Sequence, residues 1–264
     1  RTDSEGGVTL DADKIAAAAA RWRPIVLDEV DSTMDEARRR LTAGAEPGLV
    51  VLARSQRAGR GRRGATWSAP AGTAVLMTAV AALHEQMPTL VLSCLGTVAC
   101  VEACRRTGVR AGAKWPNDVV TEPQPGRFRK LAGVLVETVR TGAHACGLIG
   151  IGLNVNQEAG QFPADCPIRP TSLRSQTGDE YDLSQTAAAV LCELAMLTSL
   201  DRSEVVARWN HVSVMTGRRW RAETPVESLL CTFVRVNSEG EAVVMTGEGK
   251  LRKLSAATTH FRPL

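Results

Sequence analysis

The chain has 264 residues, enough for one large domain or for one domain with a small companion. Apolar residues make up 44% and supply a full core, while aromatics at 4% leave that core to Leu, Val and Ala. A net charge of +4, with arginines spread out rather than gathered in a stripe, is weaker than the footprint of a dedicated nucleic-acid binder, and no apolar run reaches the roughly 18 residues of a transmembrane helix.

Residues 1–23 are expected to form an N-terminal arm with one Ala-rich helix over Ala12–Trp22. The alanine run at 16–20 lacks the basic start, long apolar core and cleavage site of a signal peptide. A strand follows at Pro24–Val30. In DSTMDEARRRL, Ser32 or Thr33 can cap a helix, and Asp35 or Glu36 three residues on would close a capping box. That helix runs to about Ala43 and stops at Gly44 and Pro47. GLVVLARSQ (Gly48–Gln56) reads as a strand.

GRGRRGATW (Gly59–Trp67) then satisfies G-x-G-x-x-G through Gly59, Gly61 and Gly64. A Rossmann phosphate loop needs a helix directly after that pattern. Here Pro70 and Gly72 lead instead into a second apolar run ending near Val80. The stretch is therefore a loop between strands. Its glycines let backbone approach a ligand, and Arg60, Arg62 and Arg63 offer rigid donor forks to phosphate or carboxylate. A solvated basic turn is the competing reading.

A long apolar helix is expected over Met87–Arg106, ending before Gly108. VRAGAKWPNDVV (Val109–Val120) reads as strand, Trp-Pro turn and strand. TEPQPGRF (Thr121–Phe128), with two prolines and a glycine, reads as a hairpin loop. Lys130–Val139 and His144–Asn156 are two strong strands joined at Thr141–Gly142. A loop with three prolines spans Gln157–Pro170, and helices are expected near Leu183–Leu200 and Ser203–Met215. Beyond Gly217 the texture changes to short alternating runs and turns, which predicts a small all-β module. The expected organisation is an arm (1–23), an α/β domain of mixed sheet flanked by helices (24–215) and a small β domain (216–264).

Seven cysteines with no C-x-x-C lie dispersed in apolar segments, as core residues of a reducing cytoplasm do. His84, His144, His211 and His260 share no metal-ligand spacing, so no zinc site is expected.

Four polar clusters sit at the ends of apolar strands: Asp31–Thr33, Gln56–Trp67, KWPND (Lys114–Asp118) and RKLAG (Arg129–Gly133). Strand ends and their loops build ligand sites in α/β sheets. Each cluster alone has a structural alternative: a helix cap, a turn, solvated lysines, core tryptophans.

Together these clusters match one family. DSTM, QRAGRGRRGATW, KWPND, KLAGVLVE and GIGLNV follow the order of D-S-T-N, Q-x-A-G-R-G-R-x-G-x-x-W, K-W-P-N-D, K-L-A-G-I-L-x-E and G-x-G-x-N-V. The sequence resembles the bacterial biotin protein ligases from about Val30 to its end. The resemblance implies a biotin/lipoate ligase-like catalytic domain with a small C-terminal SH3-like β-barrel. It implies activation of biotin as biotinyl-5′-AMP by ATP, with Mg²⁺, and transfer to a lysine of a biotin carboxyl carrier protein, the acetyl-CoA carboxylase subunit. By family match Lys130, Arg62 and Lys114 are catalytic. Ser32, Thr33, Met34, Gln56, Arg60, Gly61, Arg62, Lys130, Gly133 and Gly152 would line biotin. Arg62, Trp67, Lys114, Asn117, Lys130 and Asn154 would meet ATP. Met34 departs from the family Asn and cannot make an amide's hydrogen bonds, so it would pack on the ring.

Only about 23 residues precede the first catalytic strand, so the expectation is a cytoplasmic ligase of the monofunctional type, without a DNA-binding domain, DNA or membrane partner. Many family members form homodimers through the sheet edge. The rival within the fold is a lipoate or octanoate ligase or transferase, against which GRGRRG and KWPND speak. The rival from another class is a non-catalytic biotin sensor, against which the intact Arg62, Lys114 and Lys130 speak.

Overall fold

A computed structural model describes residues 10–83, 87–141 and 144–264. The start of the arm, His84 and Gly142 of the expected turn lie outside the described residues.

Asp11 caps α1 (Ala12–Ala18) by accepting from the N–H groups of Asp13 and Lys14. The helix ends before Trp22, whose indole donates to the Leu191 carbonyl at 2.8 Å. β1 (Arg23–Val30) feeds α2 (Thr33–Thr42), which crosses to β2 (Leu49–Gln56), and β1 and β2 pair in parallel. Ser32 caps α2 through its Oγ, which accepts from Met34 N at 3.2 Å. The expected capping box does not close: with Ser32 as the cap its third helical residue is Asp35, whose carboxylate is held by Arg60 at 2.6 Å, while Glu36 is held by Arg39 and Arg40 at 2.8 and 2.7 Å.

β3 (Ala74–Leu83) leads to α3 (Thr89–Arg105), and then come β4 (Ala111–Lys114), β5 (Asp118–Gln124), β6 (Arg127–Thr141) and β7 (His144–Asn154). The seven strands form one sheet in the order β1-β2-β3-β7-β6-β5-β4, antiparallel except for β1 and β2. The hairpin loop expected over Thr121–Phe128 is mostly strand. Only Pro125 and Gly126 turn, the latter at φ +76°. Pro123 is tolerated because the β5–β6 register shifts between Thr121 and Gln124, so the ladder skips the N–H that proline lacks.

α4 (Leu173–Thr177) went unread in the sequence, because five residues are too few for a helical period to register. α5 (Leu183–Leu197) and α6 (Arg202–Val212) end a little before their expected limits.

Strand parity divides the core. Val75, Met77, Ala79, Ile149, Ile151, Leu153 and Val134 join the large core that includes residues of α3 and α5. Val80, Leu148 and Cys146 lie on the other face, with Met34, Ala37 and Leu41 of α2.

β8 (Arg219–Glu223), β9 (Ser228–Val236), β10 (Ala242–Thr246), β11 (Leu251–Leu254) and β12 (His260–Pro263) form a second, antiparallel sheet in the order β11-β10-β9-β8-β12. Aromatic residues, scarce elsewhere, gather where the two sheets meet. Trp115 meets Phe261 edge-on at 5.6 Å between ring centroids, and Phe128 stacks on Trp220 at 5.4 Å. Trp115 Nε1 also donates to the Gly240 carbonyl at 2.9 Å. Apolar area and a directional bond together fix the C-terminal sheet against the KWPND turn.

Candidate active site

The α2 face of the sheet is paved with glycine beyond the end of the helix. Gly133 of β6 pairs with Gly152 of β7, and Gly150 shares the same parity. The indole of Trp67 lies on this floor. A Cβ at Gly152 would fall 2.3 Å from Trp67 Cε2, and one at Gly133 would fall 3.0 Å from Cζ3. At Gly150 it would fall 2.7 Å from Met34 Cε. Two strands, β6 and β7, therefore present bare backbone at three positions where side chains would otherwise stand. The indole Nε1 is buried there without a hydrogen-bond partner. An unmet donor of this kind costs about 1–3 kcal/mol.

The Gly/Arg loop closes on itself. Trp67 N donates to Gly59 O at 2.9 Å and Gly61 N to Ala65 O at 2.6 Å, while Arg60 bridges to Thr66. A Cβ at Gly59 would meet Trp67 O at 2.2 Å, so only glycine permits the closure. The tip is one short 3₁₀ turn, Arg62–Gly64, with no helix behind it, as the failed Rossmann context requires.

Three cations converge beside the floor. Lys130 Nζ lies 2.6 Å from Asp118 Oδ1 and 5.5 Å from the centroid of the Trp67 ring. Lys114 is buried at 6% exposure, with Nζ 5.8 Å from the centroid of the Trp220 ring. Burial pushes the Lys114 pKa down, Asp118 partly restores it and Lys130 lowers it again. Burial also lowers Arg62, aided by Arg63 and opposed by Asp118. Three cations thus share one carboxylate, which leaves a positive excess in a partly desolvated corner and favours an anion there.

The other expected residues split into two sets. Ser32 and Thr33 are buried at the start of α2. Thr33 N donates to Gln56 Oε1 at 2.8 Å, and Thr78 Oγ1 donates to Thr33 Oγ1 at 3.0 Å. Asn117 Oδ1 accepts from Arg62 at 3.3 Å while its Nδ2 donates to Val134 O at 2.8 Å, so it braces the arginine. Asn154 is buried behind Lys130, donating to Thr171 O at 3.0 Å and accepting from Gln157 at 2.9 Å. Arg60 turns outward to Asp35 at 2.6 Å and Glu137 at 3.2 Å. Met34 is buried in the α2 core with its methyl over Gly150.

Gly150, Thr78 and Asp118 were not among the residues expected to act. Gly150 was legible, since it sits two residues before Gly152 and so on the same face. Thr78 and the Asp118–Lys130 pair depend on strand pairing that no local pattern reveals.

A mixed sheet with a backbone-lined floor beside converging cations is the architecture of an enzyme that binds an acyl group and holds a phosphate-like anion next to it. The profile of the biotin/lipoate A/B protein ligase family matches residues 26–154. The biotin–[acetyl-CoA-carboxylase] ligase of Mycobacterium tuberculosis is 31% identical over 225 residues, covering 81% of this chain and 79% of that protein. The chain belongs to the biotin protein ligase family. The bifunctional ligase/repressor BirA of Bacillus spizizenii is 26% identical over 88% of the chain and 72% of its own length. The solved biotin protein ligase of Aquifex aeolicus, in complex with biotin and ATP, superposes with a TM-score of 0.75 at 24% identity, over 91% of this chain and 99% of that one. That of Leishmania major, in complex with biotinyl-5-AMP, gives 0.59 at 26% identity, over 88% and 98%.

Proposed function

We propose that the chain activates biotin with ATP and passes it to a lysine of a carboxylase's biotin carrier protein. The convergence of Lys130, Lys114 and Arg62 beside the glycine floor carries this reading. The biotin carboxylate attacks the α-phosphorus of ATP, forming biotinyl-5′-AMP and releasing pyrophosphate. The carrier amine then attacks the mixed anhydride and AMP leaves. Both steps gather negative charge around one phosphate, so positioning and fixed cations supply most of the rate.

Gly133, Gly150 and Gly152 give the acyl chain a surface without side chains. Ser32, Thr33 and Gln56 offer polar atoms for the ureido ring. Lys130 exchanges Asp118 for the biotin carboxylate and α-phosphate, and Arg62, braced by Asn117, reaches the adenylate. Among the described residues no group of three or more His, Cys, Asp or Glu is placed to hold a metal ion. Mg²⁺ arriving with ATP would be held largely by the phosphates and water, and it would supply charge neutralisation. Among the described residues no helix is long and apolar enough to cross a membrane.

ATP–pyrophosphate exchange, with biotin, lipoate and octanoate compared, tests the reading. Exchange with biotin alone is expected. Exchange driven by lipoate instead would move the chain to the sister activity, and tight biotin binding without exchange would make it a sensor.

Lys114 gives this reaction a pH signature. Its lowered pKa means that the ammonium is lost at a lower pH than in an ordinary lysine, so exchange should fall on the alkaline side within that displaced range. Lys114→Met, close in volume, should cut the rate about 10–100-fold and remove that alkaline limb. It should also raise Tm, because a buried ammonium pays desolvation that a thioether does not. A Met variant with the wild-type alkaline limb would exclude Lys114 from the reaction.

A further inference from the structure

The tip of the Gly/Arg loop is docked on the C-terminal sheet. Arg63 Nη2 donates to Ala256 O at 2.6 Å and Thr259 O at 3.3 Å, and its Nη1 meets His260 Nε2. Arg62 Nη2 donates to the same Ala256 carbonyl at 2.7 Å. Arg63 holds φ +56°, a left-handed conformation that costs a side-chain-bearing residue about 1–2 kcal/mol. Arg63 and Gly64, at φ +56° and +76°, are the central residues of the turn that Ala65 N closes on Arg62 O at 3.1 Å, and that turn aims the Arg63 side chain at the C-terminal sheet.

The contact is a hydrogen bond in one state of the imidazole. A guanidinium only donates, so His260 Nε2 accepts from Arg63 only as a neutral ring with its proton on Nδ1. Burial, then Arg63 and Arg62, then Lys114, lower the His260 pKa and so favour the neutral ring. Glu223 opposes them, but its carboxylate is already held by Arg262 at 2.8 Å.

Resting on the ligase reading, we propose that His260 is a positioning residue for adenylate formation: with the Ala256 and Thr259 carbonyls it docks Arg63 and thereby holds the neighbouring Arg62 at the nucleotide phosphate. Protonation of the ring places a third positive charge against two arginines, removes the acceptor and releases the loop. The C-terminal sheet thus completes a site whose other parts lie in the first 154 residues.

Biotin-dependent exchange measured against ATP concentration, from mildly acidic to mildly alkaline pH, tests this on the full chain. His260→Ala and Arg63→Gly, the latter also free of backbone strain, should each raise the KM for ATP about tenfold with little change in kcat. The double variant should be no worse than either single one, because both break the same contact. Wild type should lose ATP affinity as pH falls. His260→Gln, which presents an uncharged acceptor near the Nε2 position, should hold its affinity there. Single variants with the wild-type KM, or a Gln variant with the wild-type acid limb, overturn the proposal.

Hydrogen exchange of the amides at 59–67 reads the latch without turnover. Protection relative to the intrinsic exchange rate at each pH should fall in His260→Ala and in wild type at acidic pH, and unchanged protection would overturn the latch whether or not the enzyme turns over. Absence of exchange with any acid, with the amides responding as described, would instead count against the ligase reading alone.

Discussion

Replacing Lys130 with Ala should lower biotin-dependent ATP–pyrophosphate exchange by about 10²–10³-fold, the usual loss when one preorganised donor to a developing anion is removed. The ammonium stands where the acyl floor meets the cation cluster, between Asp118 and the Trp67 ring. Among the described residues no other cation is so placed: Lys114 is packed against Trp220 and Arg62 is tied to Asn117 and Ala256. The fold should survive the change, because the backbone at this position is what the structure uses. Lys130 N donates to Arg169 O at 3.0 Å and Thr171 N to Lys130 O at 2.9 Å, and neither bond involves the side chain. Exchange in the folded variant at more than about a tenth of the wild-type rate would remove Lys130 from the chemistry.

Gly152→Ala should weaken biotin binding about 10–100-fold, as overpacking by one methyl at a rigid wall costs about 1–3 kcal/mol. The new Cβ would stand 2.3 Å from Cε2 and 2.6 Å from Nε1 of Trp67, atoms of a rigid ring that must leave as a unit. Biotin would meet the same methyl on the floor. Titration calorimetry gives the affinity and intrinsic fluorescence reports the indole. Trp22, Trp115, Trp209 and Trp220 are all at most 4% exposed, so a red shift would report Trp67 moving into water. Gly150→Ala makes the useful contrast. Its Cβ would meet Met34 Cε at 2.7 Å, the far end of a flexible chain that can swing aside, so the loss there should be smaller. Wild-type biotin affinity in Gly152→Ala would show that biotin does not use this floor.

Several parts of this molecule were legible because they are local. Alternation along β3, β6 and β7 sorts residues between two faces by chain geometry alone, so Gly133, Gly150 and Gly152 share a face in any register that pairs Gly133 with Gly152. Asp-Ser-Thr before a helical run announces a cap, and Ser32 makes it. Pro70 and Gly72 after the Gly/Arg loop exclude a following helix, and none forms. Where local reading failed, a competing contact won. Arg60 took Asp35 from the capping box, and a register shift let strand pairing run through Pro123.

The sequence by itself determined the mixed α/β class, the ordered motifs that assign the family and the residue types from which the site is built, because each resides in spacing along the chain. Tertiary structure alone decided which of those residues face one another. It set Trp67 on the glycine floor, gave Lys130 to Asp118, turned Arg60 outward to Asp35 and Glu137, and docked Arg63 on His260, 197 residues away. The physical reason is that charge pairing and desolvation depend on distances through space, which the packing of the two sheets fixes and no periodicity along the chain records.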